Sequence, residues 1–179
     1  MSYLPVLILA AGLVANIAIY KRQHRRFGTR DSGRVEKRSY AASRPTRLFR
    51  HVKYALYLAA LAYLLLNPLV LNPVQPSPAR LLLGALVGVS GLVLLFLSLE
   101  ALGENYAPCD QGVLPRSRVR HGPYRTLKHP MYVANILQLV GAAIVSFGAL
   151  IVVLILVYSC FVALIAREEN AALDRHFPV

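Results

Sequence analysis

Uncharged apolar stretches alternate with basic segments along this chain of 179 residues. Crossing the hydrocarbon core of a bilayer takes about 20 largely apolar residues in a helix. Residues 1–20, 54–79 and 81–99 each meet that requirement, the second with Asn67-Pro68 inside it and a proline-rich exit at Pro73, Pro76 and Pro78. Residues 131–166 are uncharged throughout and too long for one straight span. A turn at Ser146-Phe147-Gly148 divides them into two helices of about 17 residues. The pattern therefore predicts an all-α, polytopic membrane protein with five transmembrane helices, the last two forming a C-terminal helical hairpin. A cleaved signal peptide is the rival reading of the first stretch, but there the basic residues follow the apolar run instead of preceding it.

Charge placement agrees with five spans. Of the 20 Lys and Arg, twelve lie between Lys21 and Lys53, one (Arg80) between the second and third stretches, five between Glu100 and Pro130, and two after Ala166. Rich and poor segments alternate, and the positive-inside rule then puts the N-terminus outside and both basic loops and the C-terminal tail in the cytoplasm. The same placement accounts for the net charge of +12. Lys21, Arg22, Arg25, Arg26, Arg30, Arg34, Lys37 and Arg38 read as a topology signal with attraction to anionic membrane lipids, and no groove-reading or stacking motif among them suggests nucleic acid. Hydrophobic residues make up 56% and charged residues 16% of the chain, which argues against an ordinary soluble domain. Cys109 and Cys160 form no CxxC pair, so neither a disulfide framework nor a metal site is expected.

The informative chemistry lies in the second basic loop and just after the hairpin. His121-Gly122-Pro123-Tyr124-Arg125 leads through Lys128-His129-Pro130-Met131-Tyr132 into an apolar helix. Proline is favourable at the first helical position, so the helix should begin at Pro130, with its positive end beside Arg125 and Lys128. Arg167-Glu168-Glu169 follows the hairpin, and a hairpin returns its chain to the starting side. The acidic pair should therefore emerge near His129 and Tyr132. Adjacent carboxylates are costly at a membrane face, and a cationic or hydroxyl-rich ligand would offset that cost. On residues alone a plain reading stays open for each part: a capped helix with interfacial Tyr and basic anchors, and a helix exit with Arg167 as the acidic pair's partner.

Together, Gly122-Pro123-Tyr124, Lys128-His129-Pro130-Met131-Tyr132, Gly141 and Arg167-Glu168-Glu169 with Leu173 resemble the superfamily of isoprenylcysteine carboxyl methyltransferases and phospholipid methyltransferases. The resemblance runs from about Leu102 to Leu173 and includes Leu102-Gly103 with Asn105 and Tyr106. It implies an integral membrane enzyme with a cytoplasmic site for S-adenosylmethionine. In that site His121, Gly122, Tyr124, His129, Pro130 and Tyr132 wall the cofactor, and Glu168 and Glu169 hold its polar groups. Lys128 stands where the family usually has Arg, and Ala134 where Gly is frequent. The first change keeps the charge and loses bidentate geometry.

These expectations describe one membrane domain over residues 1–179, with N-terminal spans and a basic loop in 1–101 and a methyltransferase-like catalytic core in 102–179. The acceptor expected is a lipophilic small molecule or lipidated substrate. Carboxyl O-methylation, as by isoprenylcysteine carboxyl methyltransferases, is the leading reaction, with Arg125, Lys128 and Arg167 as the cations that would orient a carboxylate. Alternatives are N-methylation of a phospholipid amine, with Glu104 or a histidine as base, a sterol-reductase-like enzyme, and a non-catalytic membrane scaffold. Asn135 and Gln138 suit interhelical hydrogen bonds or pocket lining. Glu100 and Glu104 read as a solvated helix end, and His24, His51 and His176 suggest nothing specific.

Overall fold

Helix-starting and helix-ending signals set the element boundaries. In the computed structural model the described residues are 4–27, 43–44, 46–49, 51–52, 55, 58–59, 62, 76–106, 114–146 and 149–177. The first helix, α1, spans Leu4–Phe27 and closes on His24, Arg25 and Arg26, cations that suit the negative end of a helix dipole. The second, α2, spans Pro78–Leu102. Ser77 caps it, its side chain accepting from the Arg80 N–H at 3.3 Å, and Pro78 fills the first turn. It ends at Gly103, whose φ of 50° lies in the left-handed region that a side chain disfavours. Two short turns follow at Gly103–Asn105 and Gly122–Arg125. The hairpin helices are α3, Pro130–Ser146, and α4, Ala149–His176. Among the described residues there is no strand.

Three of these helices are long and apolar enough to cross a membrane, and α3 is apolar over a shorter length. The predicted division of the last apolar stretch matches the helix bounds, with α3 ending at Ser146 and α4 beginning at Ala149. Most of the span expected at 54–79 lies outside the described residues, as do Cys109, Phe147-Gly148 and the basic residues from Arg30 to Arg38. Among the described residues there are three such helices and one shorter apolar helix. One difference concerns the end of α4. The uncharged stretch stops at Ala166, while the helix continues through Arg167, Glu168 and Glu169 to His176. Good helix formers carry it onward, and Ala172, 2% exposed, keeps one face packed.

α2 and α3 run antiparallel and touch backbone to backbone. A Cβ on Gly141 would lie 2.6 Å from the Gly88 nitrogen and 2.7 Å from the Gly84 oxygen. One on Gly91 would lie 2.7 Å from the Ala134 oxygen. Small residues are the usual means of bringing membrane helices this close, because dispersion contacts then replace a hydrophobic driving force. Arg80 closes the far end, donating to the carbonyls of Ile144 at 3.2 Å and Val145 at 3.4 Å. α1 runs parallel to α2. The Asn16 amide donates to Gln138 Oε1 at 2.7 Å, the buried Gln23 donates to the Gly103 carbonyl at 3.1 Å, and Arg22 and Arg26 reach Glu100 at 3.3 and 3.0 Å. Gln138 thus makes an interhelical hydrogen bond, while Asn135, half-buried, makes none among the described residues.

Candidate functional site

The sequence places a histidine immediately before α3 and a tyrosine three residues later, a spacing that puts both side chains on one side of the first turn. Their rings stack, with centroids 5.3 Å apart and planes inclined by 22°. α4 returns its acidic pair to the same end. The Tyr132 hydroxyl donates to Glu169 Oε2 at 3.0 Å, and His129 Nδ1 lies 3.5 Å from that oxygen. On the other side of the ring, His129 Nε2 is 3.1 Å from Asn170 Oδ1. Both partners are largely enclosed, His129 with 16% and Glu169 with 20% of the side chain exposed. Glu169 Oε1 has no partner among the described residues. A half-buried carboxylate oxygen left free beside a phenol and an imidazole is an acceptor for an ammonium or a hydroxyl donor.

Glu168 is used differently. Its Oε1 accepts from the Ser43 backbone N–H at 2.7 Å, and its Oε2 accepts from the Ser43 hydroxyl at 2.7 Å and from the Thr46 hydroxyl. The two neighbouring carboxylates thus face different partners, one toward residues 43–46 and the other toward the start of α3.

The remaining expected residues divide by position. Gly122, at φ 58°, turns the chain so tightly that a Cβ there would sit 3.2 Å from the Ala101 side chain, which docks the His121–Tyr124 turn on the end of α2. Pro130 is buried at the start of α3, as expected. Arg125, Lys128 and Arg167 are exposed and form no ion pair among the described residues. Glu100 and Glu104, by contrast, are occupied by Arg22, Arg26 and Arg116, as suits an exposed helix end. Arg118 bridges to Asp174 at 2.7 Å and ties the second basic loop to α4. Asn170, Ser43 and Thr46 were missed at the sequence level. Asn170 carried one faint signal, since asparagine is a poor choice inside a helix unless its amide has work there. Ser43 and Thr46 carried another, the start signal of a helical turn, for Ser43 Oγ accepts from the Thr46 N–H at 3.4 Å.

The apolar helices α3 and α4, the second long enough to cross a membrane, thus bring a small polar cluster together at one end. The phospholipid methyltransferase family model matches residues 79–178, more than half of the chain. The chain belongs to that family, within the superfamily that also holds the isoprenylcysteine carboxyl methyltransferases, and is thereby a membrane methyltransferase. No curated protein and no solved structure matches the chain significantly. The matched region contains α2, α3, α4 and the Glu169 cluster, and it excludes α1, Ser43 and Thr46.

Proposed function

We propose that the protein transfers the methyl group of S-adenosylmethionine to a lipophilic acceptor at the cytoplasmic membrane face. The observation that carries this reading is the free Glu169 Oε1, enclosed beside Tyr132 and His129 at the start of α3. When bound, the cofactor supplies an electrophilic methyl group on a sulfonium, so the protein needs no nucleophile of its own. The donor set fits. Glu169 is an acceptor for the cofactor's ammonium or ribose hydroxyls, and the positive end of the α3 dipole suits its carboxylate. His121, Gly122, Tyr124, His129, Pro130 and Tyr132 would wall it. Enclosure by these residues would align the reacting groups and exclude water, which is most of what methyl transfer asks of a protein.

Arg125, Lys128 and Arg167, exposed and unpaired among the described residues, suit an anionic acceptor. They favour carboxyl O-methylation of a substrate similar to an isoprenylcysteine. The family match favours a second reading, N-methylation of a phospholipid amine. Under either reading the acceptor would enter between helices from the bilayer and the cofactor from the cytoplasm. The parallel course of α1 and α2 supports the five-span reading, and the basic residues that close α1 support an N-terminus outside. Incubating membranes that contain the protein with methyl-labelled S-adenosylmethionine and lipid extracts tests the proposal. A base-labile methyl ester is expected; a labelled phospholipid amine would establish the second reading, and no labelled lipid would contradict both.

A further inference from the structure

The contacts around Glu168 reach outside the methyltransferase domain. Both of its oxygens are taken by a segment that precedes the family match: Oε1 by the Ser43 N–H, Oε2 by the Ser43 and Thr46 hydroxyls. Thr46 is completely buried, so its hydroxyl has no water to fall back on. One turn later Phe49, 5% exposed, packs against Tyr158 and Phe161 of α4, with ring centroids 5.8 and 6.2 Å apart. That aromatic cluster also supports the ring of Tyr132, whose hydroxyl donates to Glu169. Residues 43–49 therefore touch the candidate site twice, once through a carboxylate and once through the packing beneath Tyr132.

We infer that Glu168 is a clasp that fastens residues 43–49 to α4 as an outer wall of the site, with Thr46 as the positioning residue that holds the clasp shut. The inference rests on the proposed cofactor site, and it separates the two adjacent glutamates: Glu169 faces the ligand, and Glu168 orders the wall around it. A carboxylate that already accepts three hydrogen bonds has little capacity left for a further ligand. Ser43 and Thr46 act through Glu168 and touch no reacting atom.

Two readouts on the purified full-length chain test this, one of them independent of methyl transfer. Arg47 is exposed and lies within the clasped segment, so tryptic cleavage after Arg47, located by mass spectrometry, reports how often the segment opens. Calorimetry with S-adenosylmethionine reports the site. Thr46→Val keeps shape and removes the donor; loss of one charge-assisted hydrogen bond should raise cleavage after Arg47 about tenfold and weaken cofactor binding by a similar factor. Glu168→Gln should raise the same cleavage, and Thr46→Ser, which restores the hydroxyl, should retain wild-type behaviour in both readouts. Unchanged cleavage in Thr46→Val overturns the clasp. Faster cleavage with unchanged cofactor affinity overturns the wall. Should Thr46→Val not fold, Ser43→Ala at an exposed position must move both readouts in the same direction, and wild-type values there overturn the inference. A wild-type chain that binds no S-adenosylmethionine, with cleavage still following the variants, supports the clasp and removes the functional reading.

Discussion

The two faces of α3 are held by opposite means. Toward α2 the contact is made by the absence of side chains, with Gly84, Gly91 and Gly141 letting backbones meet along the helices. Toward α4 the contact is narrower, made by aromatic and aliphatic side chains and closed at the site end by Tyr132 to Glu169 and His129 to Asn170. A backbone seam has no rotamers to rearrange, so it fixes α3 as a reference rail. Hydrogen bonds between side chains can open and close at modest cost. The difference separates a scaffold pair, α2 and α3, from a working pair, α3 and α4, that share the start of α3.

The largest expected effect breaks the seam from one side only. Gly141→Ala places a Cβ 2.6 Å from the Gly88 nitrogen, and backbone cannot swing aside as a side chain can. Thermal unfolding in detergent should show a loss of about 1–3 kcal/mol. Gly88→Ala meets nothing within 4 Å and gains helix propensity, so its stability should be unchanged or higher by up to about 1 kcal/mol. Equal losses at the two positions would remove the seam.

The working pair is sharpened by the cations around it. If the acceptor is a carboxylate, Met at one of Arg125, Lys128 or Arg167 should lower turnover about tenfold or more with a smaller change in cofactor affinity. The rate should stay nearly flat from about pH 6.5 to 8.5, because a carboxylate is already ionised there. An amine must lose its proton before it attacks, so its rate would climb with pH, and three active variants with a steep climb would establish an amine acceptor. The smallest effect belongs to the rim. Asp174→Asn breaks an ion pair with Arg118 in which Asp174 is 63% exposed, and stability should fall by no more than about 1 kcal/mol, less at high salt.

Legibility in the sequence followed the same division. Long uncharged runs revealed α2, α3 and α4, because lipid demands a continuous apolar surface and leaves few other solutions. Pro130 as a helix start, Ser146 as a helix end and the return of Glu169 to Tyr132 were all readable from turn chemistry and hairpin geometry. The glycine seam was not read, although Gly84 and Gly88 are four residues apart, because such spacing has meaning only when the facing residue, here Gly141, is known. The separate uses of Glu168 and Glu169 were hidden for a related reason. Adjacent residues on a helix point about 100° apart. What lies in each direction is a tertiary fact: Ser43 and Thr46 reach Glu168 from more than 120 positions away. The pairing of Asn170 with His129, 41 positions away, is likewise a tertiary fact.

Binding of S-adenosylmethionine by the purified chain, measured by calorimetry for the wild type and Glu169→Gln, tests the central claim most directly. The wild type should bind, and the variant, which keeps shape and loses the charge behind the free Oε1, should bind about 1–3 kcal/mol more weakly, roughly 5- to 150-fold. Wild-type affinity in the variant would take Glu169 out of the site, and a chain that binds a nicotinamide cofactor but not S-adenosylmethionine would contradict the account.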